Sequence, residues 1–69
     1  MTTIQIRDEY ITLGQFLKLS DCISTGGQAK PFLEETRITV NGEPEQRRGR
    51  KLYRGDKIWI DGFDTFEIG

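Results

Sequence analysis

Apolar and polar residues alternate near both ends of this chain and recur at helical spacing between them. From Thr3 to Arg7, Ile4 and Ile6 fall on one side and Thr3, Gln5 and Arg7 on the other, the pattern of a half-buried strand. Asp8-Glu9-Tyr10 reads as a connection. A helix then starts at Thr12: Thr12 and Gln15 stand at capping-box spacing, and Ile11 and Phe16 at the spacing of a hydrophobic staple. Leu13, Phe16 and Leu17, with Leu19 and Ile23 beyond, suit one helix face over about ten residues. Ser24-Thr25-Gly26-Gly27 is a break and a second helix start, after which Ala29, Phe32 and Leu33 recur at helical spacing. The expected helix spans about Gly27 to Thr36. Pro31 sits inside it, removing a backbone donor and crowding the carbonyl of Gly27, so a short or kinked helix is predicted.

The second half reads as strands. Arg37 to Val40 places Ile38 and Val40 inward, and Asn41-Gly42 is the favoured dipeptide for a type I′ hairpin turn. The return strand, Glu43 to Gln46, carries Pro44, which places it at a sheet edge or ends its pairing early. The next stretch, Gln46 to Lys57, is read as a basic loop that closes in a Gly55-Asp56 turn. Lys57 to Asp61 follows as a strand, with Ile58 and Ile60 on one face and Trp59 on the other; Gly62 breaks it. Thr65 to Ile68 alternates again, with Phe66 and Ile68 inward. The order β-α-α-β-β-β-β predicts a small α+β domain, two short helices on a mostly antiparallel sheet, with residues 1–69 as one unit.

Composition narrows the chemistry. The 69 residues are 35% hydrophobic and 30% charged, a globular balance. A chain of this size buries roughly 60% of its unfolded surface, enough for a single modest core. There is no His and one Cys, Cys22, which excludes an internal disulfide, a His- or Cys-built zinc site and any triad with a His base. No apolar run approaches the roughly 20 residues that cross a bilayer. The N-terminus lacks the features of a signal peptide, so a cytoplasmic protein, without a membrane and without a cofactor, is expected.

Net charge is only −1, but its distribution is uneven. The stretch from Gln46 to Lys57 holds Arg47, Arg48, Arg50, Lys51, Arg54 and Lys57 against Asp56 alone. The rest of the chain holds four basic and ten acidic residues. Such asymmetry is a mark of an anionic partner even at an acidic isoelectric point. Arg forks grip phosphate bidentately and Lys acts as a point charge, so these cations are expected to line one rim that follows a phosphate chain. The plainer reading is a solvated loop that offsets the acidic remainder. Ser24-Thr25-Gly26-Gly27 at a helix start is a second candidate for anion contact, through exposed backbone N–H groups, with Lys30 one turn in; the plainer reading is a tight turn. Trp59 and Tyr53 can stack on a base if they are exposed, or simply cover a sheet face. Phe16, Phe32 and Phe66 are core by spacing, and Cys22 is a small core filler. Asp8-Glu9 and Glu34-Glu35 are adjacent positions that do not face each other on a helix, so no catalytic carboxylate pair is expected.

Several segments, taken in order, resemble a known family. They are Leu13-Gly14-Gln15-Phe16-Leu17-Lys18-Leu19, Gly26-Gly27-Gln28-Ala29-Lys30, Arg37 to Glu43, Arg47-Arg48-Gly49-Arg50-Lys51-Leu52 and Gly55-Asp56-Lys57-Ile58. Over about residues 11–61 the chain is similar to the ribosomal protein S-four-type RNA-binding domain, the αL motif, and to its small free-standing bacterial members. The resemblance implies an α+β module whose helices and hairpin present a basic surface to structured RNA, ribosomal or transfer RNA; a non-catalytic monomer is expected. Carried over by position, it points to Lys18, Lys30, Arg37, Arg47, Arg48, Arg50 and Lys51, beside the loop's Arg54. Many relatives carry Ser-Arg where this chain has Gly26-Gly27, so that corner has to rely on backbone donors.

Two other classes remain open at this point. A sulfur-carrier-like β-grasp protein fits the length and the hairpin, but such carriers end in Gly-Gly and this sequence reads Ile68-Gly69. A protein-interaction module for an acidic partner would use the same basic loop as its anchor.

Overall fold

A computed structural model describes all residues, 1–69. The elements in chain order are β1 (Thr2–Ile4), β2 (Tyr10–Thr12), α1 (Leu13–Leu19), a 3-10 turn (Gly26–Gln28), α2 (Ala29–Glu35), β3 (Ile38–Val40), β4 (Glu43–Pro44), β5 (Lys51–Tyr53), β6 (Lys57–Ile60) and β7 (Thr65–Ile68). Five strands form one sheet in the order β1-β7-β6-β3-β4, and β2 pairs with β5 in a separate two-stranded ribbon. Every pairing is antiparallel except β1 with β7. The α+β class with two short helices on a mostly antiparallel sheet is therefore correct.

Alternation puts the core where it was expected. Ile38, Val40, Ile58, Ile60, Phe66 and Ile68 line the inner face of the large sheet, and Leu13, Phe16, Leu17, Ala29 and Leu33 meet them from the helices. Phe16 packs edge-on against Phe66, with ring centroids 5.3 Å apart. Phe32 is only half-buried and leans on the exposed Phe63, and Cys22 is half-buried against the same core. The capping box is formed: the Gln15 N–H donates to Thr12 Oγ1 at 3.3 Å, and the Thr12 N–H donates to Gln15 Oε1 at 2.9 Å. At the hairpin, Asn41 and Gly42 both adopt positive φ, 52° and 86°, as a type I′ turn requires. β4, with its Pro44, is the sheet edge.

Three expectations need correction. The first concerns Tyr10 to Thr12 and Lys51 to Tyr53, read as connection, helix start and loop, which instead pair as the β2–β5 ribbon. Ile11 and Leu52 face the core from it, and Leu52 is fully buried. Three-residue strands are too short to show periodicity, so a lone apolar residue between charges looks like loop. The second concerns the start of the helix expected from about Gly27 to Thr36, which is short, as predicted, but begins two residues later. The chain makes a 3-10 turn first, and α2 starts at Ala29. Pro31 thus lies in the first turn, where its missing N–H has no helical partner to lose. The third concerns α1, which stops at Leu19, leaving Leu19 exposed; Asp21, at φ 62°, turns the chain away. Ile23 still reaches the core.

The buried Leu52 makes the ribbon part of the domain rather than a loop. Leu52→Ala should destabilise the protein by about 2–5 kcal/mol, measured by urea or thermal unfolding; a surface-like cost under about 0.5 kcal/mol would contradict this anchoring.

Candidate nucleic-acid interface

The basic segment is held at its centre by the start of α1. The first N–H groups of a helix have no partner within it. Here the Leu13 N–H donates to the Arg50 carbonyl at 2.8 Å and the Gly14 N–H to the Arg48 carbonyl at 2.9 Å. The segment also lies against the helix side: a Cβ on Gly14 would stand 3.6 Å from Arg48 Cβ, in ordinary contact. The Arg50 N–H closes a turn on the Arg47 carbonyl at 3.1 Å. Residues 47–50 are thus a pinned turn between β4 and β5, despite Gly49.

A buried carboxylate organises the segment's beginning. Glu45 is the one buried charged residue in the protein, at 7% exposure. Its Oε2 accepts from Arg47 Nε at 3.0 Å and from the N–H groups of Gln46 and Arg47 at 3.1 and 3.0 Å. Its Oε1 accepts from Arg47 Nη2 at 3.1 Å and Arg50 Nη1 at 2.8 Å. The Arg47 side-chain bonds, opposed by burial and reinforced by the Arg47 N–H and by Arg50, hold the carboxyl at about 2, below its ordinary 4.5.

At the far end, Arg54 Nη2 donates to the Ile6 carbonyl at 2.8 Å. The V-N-G hairpin and the G-D turn are joined as well. Asn41 Nδ2 donates to Asp56 Oδ1 at 3.0 Å, while Asn41 Oδ1 accepts the Lys57 N–H, also at 3.0 Å. Asp56 Oδ2 accepts the Tyr53 N–H at 2.8 Å.

These contacts sort the candidate residues. The expected single free rim is not what the fold presents: Arg47 and Arg50 are ion-paired to Glu45, and Arg54 braces the backbone of residue 6. Arg47 keeps most of its side chain exposed, 77%, while Arg50 keeps 31%. Arg48 is exposed, has no ion pair, and lines a groove with Thr12, Gly14, Gln15, Lys18, Gly26 and Ala29. That groove brings Lys18, Gly26 and Arg48 together with no carboxylate in its walls. A neighbouring hollow is lined by Arg47, Gly49, Arg50, Lys51 and Tyr53, again without a carboxylate.

Three candidates lie elsewhere. Gly27 and Lys30 are exposed but line neither concavity. Arg37 faces a different hollow, beside Glu34, Glu35, Glu45 and Asp61. The Ser24 and Thr25 N–H groups, expected to be open to an anion, are taken by Gln28 Oε1 at 2.7 and 2.9 Å. No group of three or more His, Cys, Asp or Glu side chains is placed to hold a metal ion, and no helix is long and apolar enough to cross a membrane.

The model of the S4 domain matches residues 4–68, wider than the span over which the motifs carry the resemblance. The chain belongs to the S4 domain family. It is also 58% identical over 65 residues to the probable ribosome maturation protein RlbA of Bacillus subtilis strain 168, a match covering 94% of this chain and 92% of that one. Within this S4 domain, sequence reasoning missed Glu45 and Tyr10. An acidic residue two and five positions before arginines was the available signal for Glu45. For Tyr10 there was none, because its partner Tyr53 is distant in sequence.

The acid sensitivity of the clamp has a definite sign. Because the folded carboxyl titrates lower than the unfolded one, its stabilisation is complete above about pH 4.5 and is lost as the pH falls through about 2. Glu45→Gln should cost about 1–2 kcal/mol at neutral pH, after discounting for the exposed guanidinium. It should also flatten the loss of stability between these pH values in denaturant melts. A variant as stable as the parent at pH 7, with the same acid limb, would show that the clamp contributes nothing.

Proposed function

We propose that this protein is a non-catalytic RNA-binding module that grips the backbone of structured RNA, ribosomal or transfer RNA, through the groove between α1 and the pinned turn. The observation that carries the reading is the meeting of Lys18 and Arg48 across a concavity with no acidic wall, beside a second that holds Lys51 and the exposed Arg47. Membership of the S4 domain family and the ribosome maturation relative favour ribosomal RNA. Phosphate oxygens suit these groups: Arg48 offers a planar fork and Lys18 a point charge, and neither has to leave an internal partner first. Arg50 and Arg54 act mainly as braces that hold the turn, and Arg37 stands outside the interface. Lys30 lies at its margin.

A protein-interaction module for an acidic partner would use the same cations, and nuclease treatment during a pull-down separates the two readings. The sulfur-carrier reading has less support, because the chain belongs to the S4 domain family.

Titrating the protein with ribosomal RNA fragments at several salt concentrations tests the proposal. Lys18→Glu with Arg48→Glu should weaken binding by roughly tenfold or more and reduce the log–log salt slope by about 2, one per lost phosphate contact. Arg37→Glu should leave both unchanged. Equal losses from all three positions would replace the groove with a diffuse charge effect, and no change from the double variant would remove RNA backbone binding at this site.

A further inference from the structure

The outer face of the β2–β5 ribbon carries side chains that phosphate binding alone does not use. Side chains alternate across a strand, so Ile11 and Leu52 point into the core while Tyr10, Thr12, Lys51 and Tyr53 point outward. Tyr10 and Tyr53 are directly paired across the ribbon, with ring centroids 5.8 Å apart and planes tilted by 49°. Both stay exposed, at 38% and 43%. Lys51 Nζ lies 4.9 Å from the centre of the Tyr10 ring, so the aromatic corner and a cation form one unit.

The position of this corner matters more than its exposure. Tyr53 and Lys51 line the hollow that holds Arg47, Gly49 and Arg50, and Thr12, on the same outer face, lines the groove that holds Lys18 and Arg48. The ribbon therefore bridges the cationic concavities and sets flat apolar rings at their edge. An RNA strand whose phosphates follow these cations brings its bases within reach of the rings. Stacking on aromatic rings is open to any base that is not already held in a duplex. A cross-strand Tyr pair also stabilises a ribbon, but that task does not call for rings at the rim of a basic hollow.

We infer that the Tyr10–Tyr53 corner is a stacking site for an unpaired nucleobase, so that the preferred ligand is RNA with a bulged or looped-out nucleotide next to its helix. This rests on the RNA-binding reading above, and the two can fail separately. The probe is a short RNA hairpin carrying 2-aminopurine at a single-nucleotide bulge, with a fully paired hairpin as control. Binding of the parent protein should quench the 2-aminopurine and favour the bulged hairpin. Tyr10→Ile with Tyr53→Ile keeps strand propensity but removes the rings. It should abolish the quenching and the preference for the bulged hairpin, weakening bulged-hairpin binding by roughly 5- to 50-fold more than paired-hairpin binding. Tyr10→Phe with Tyr53→Phe should behave as the parent, since the rings remain.

Quenching and preference that persist without the rings would overturn the stacking site while leaving phosphate binding intact. So would unquenched 2-aminopurine in the parent complex, a result that does not depend on any variant folding. Failure of the parent to bind either hairpin would overturn both readings.

Discussion

The proposed interface depends on the docking of one helix end against one turn. The unpaired N–H groups at the start of α1 and the carbonyls of Arg48 and Arg50 satisfy each other, as backbone groups away from water must. That exchange fixes where residues 47–50 run, and with them the directions of their side chains. Without it, the stretch would be a like-charged loop whose members repel and separate. Glu45 adds a second restraint by gathering Arg47 and Arg50 onto one buried carboxylate.

The consequence is a division of labour among cations that look alike in the sequence. Arg50 and Arg54 spend donors on the protein itself, on Glu45 and on the Ile6 carbonyl. Arg48 and Lys18 keep theirs for the groove. Arg47 does both, since its Nε and Nη2 meet Glu45 while most of its side chain remains in solvent. A segment that carries six basic residues thus presents fewer free ones, better placed. The acidic remainder is kept apart: the hollow that holds Arg37 is walled by Glu34, Glu35, Glu45 and Asp61, whereas the two beside the turn have no carboxylate lining.

Residues that announce themselves locally were read correctly. Thr12 and Gln15 cap a helix because they stand three apart, and Asn41-Gly42 makes its turn because both tolerate positive φ. Ile58 and Ile60, Phe66 and Ile68 point inward because a strand alternates. Failures came where the deciding partner was remote. Leu52 looked like part of a loop until Ile11 paired with it. Glu45 looked like an ordinary surface acid of an edge strand.

Family, fold class, the core-facing positions and the concentration of positive charge are thus properties of the linear order of residues, because periodicity, capping and turn chemistry act over a few positions. Which cations remain free, which carboxylate is buried among them, and which aromatic rings stand at the edge of the groove are set by tertiary packing, even where the partners, as with Glu45, Arg47 and Arg50, are near in sequence. Hydrogen bonds and ion pairs are satisfied by whichever group the fold brings within about 3 Å, and spacing along the sequence does not predict that neighbour.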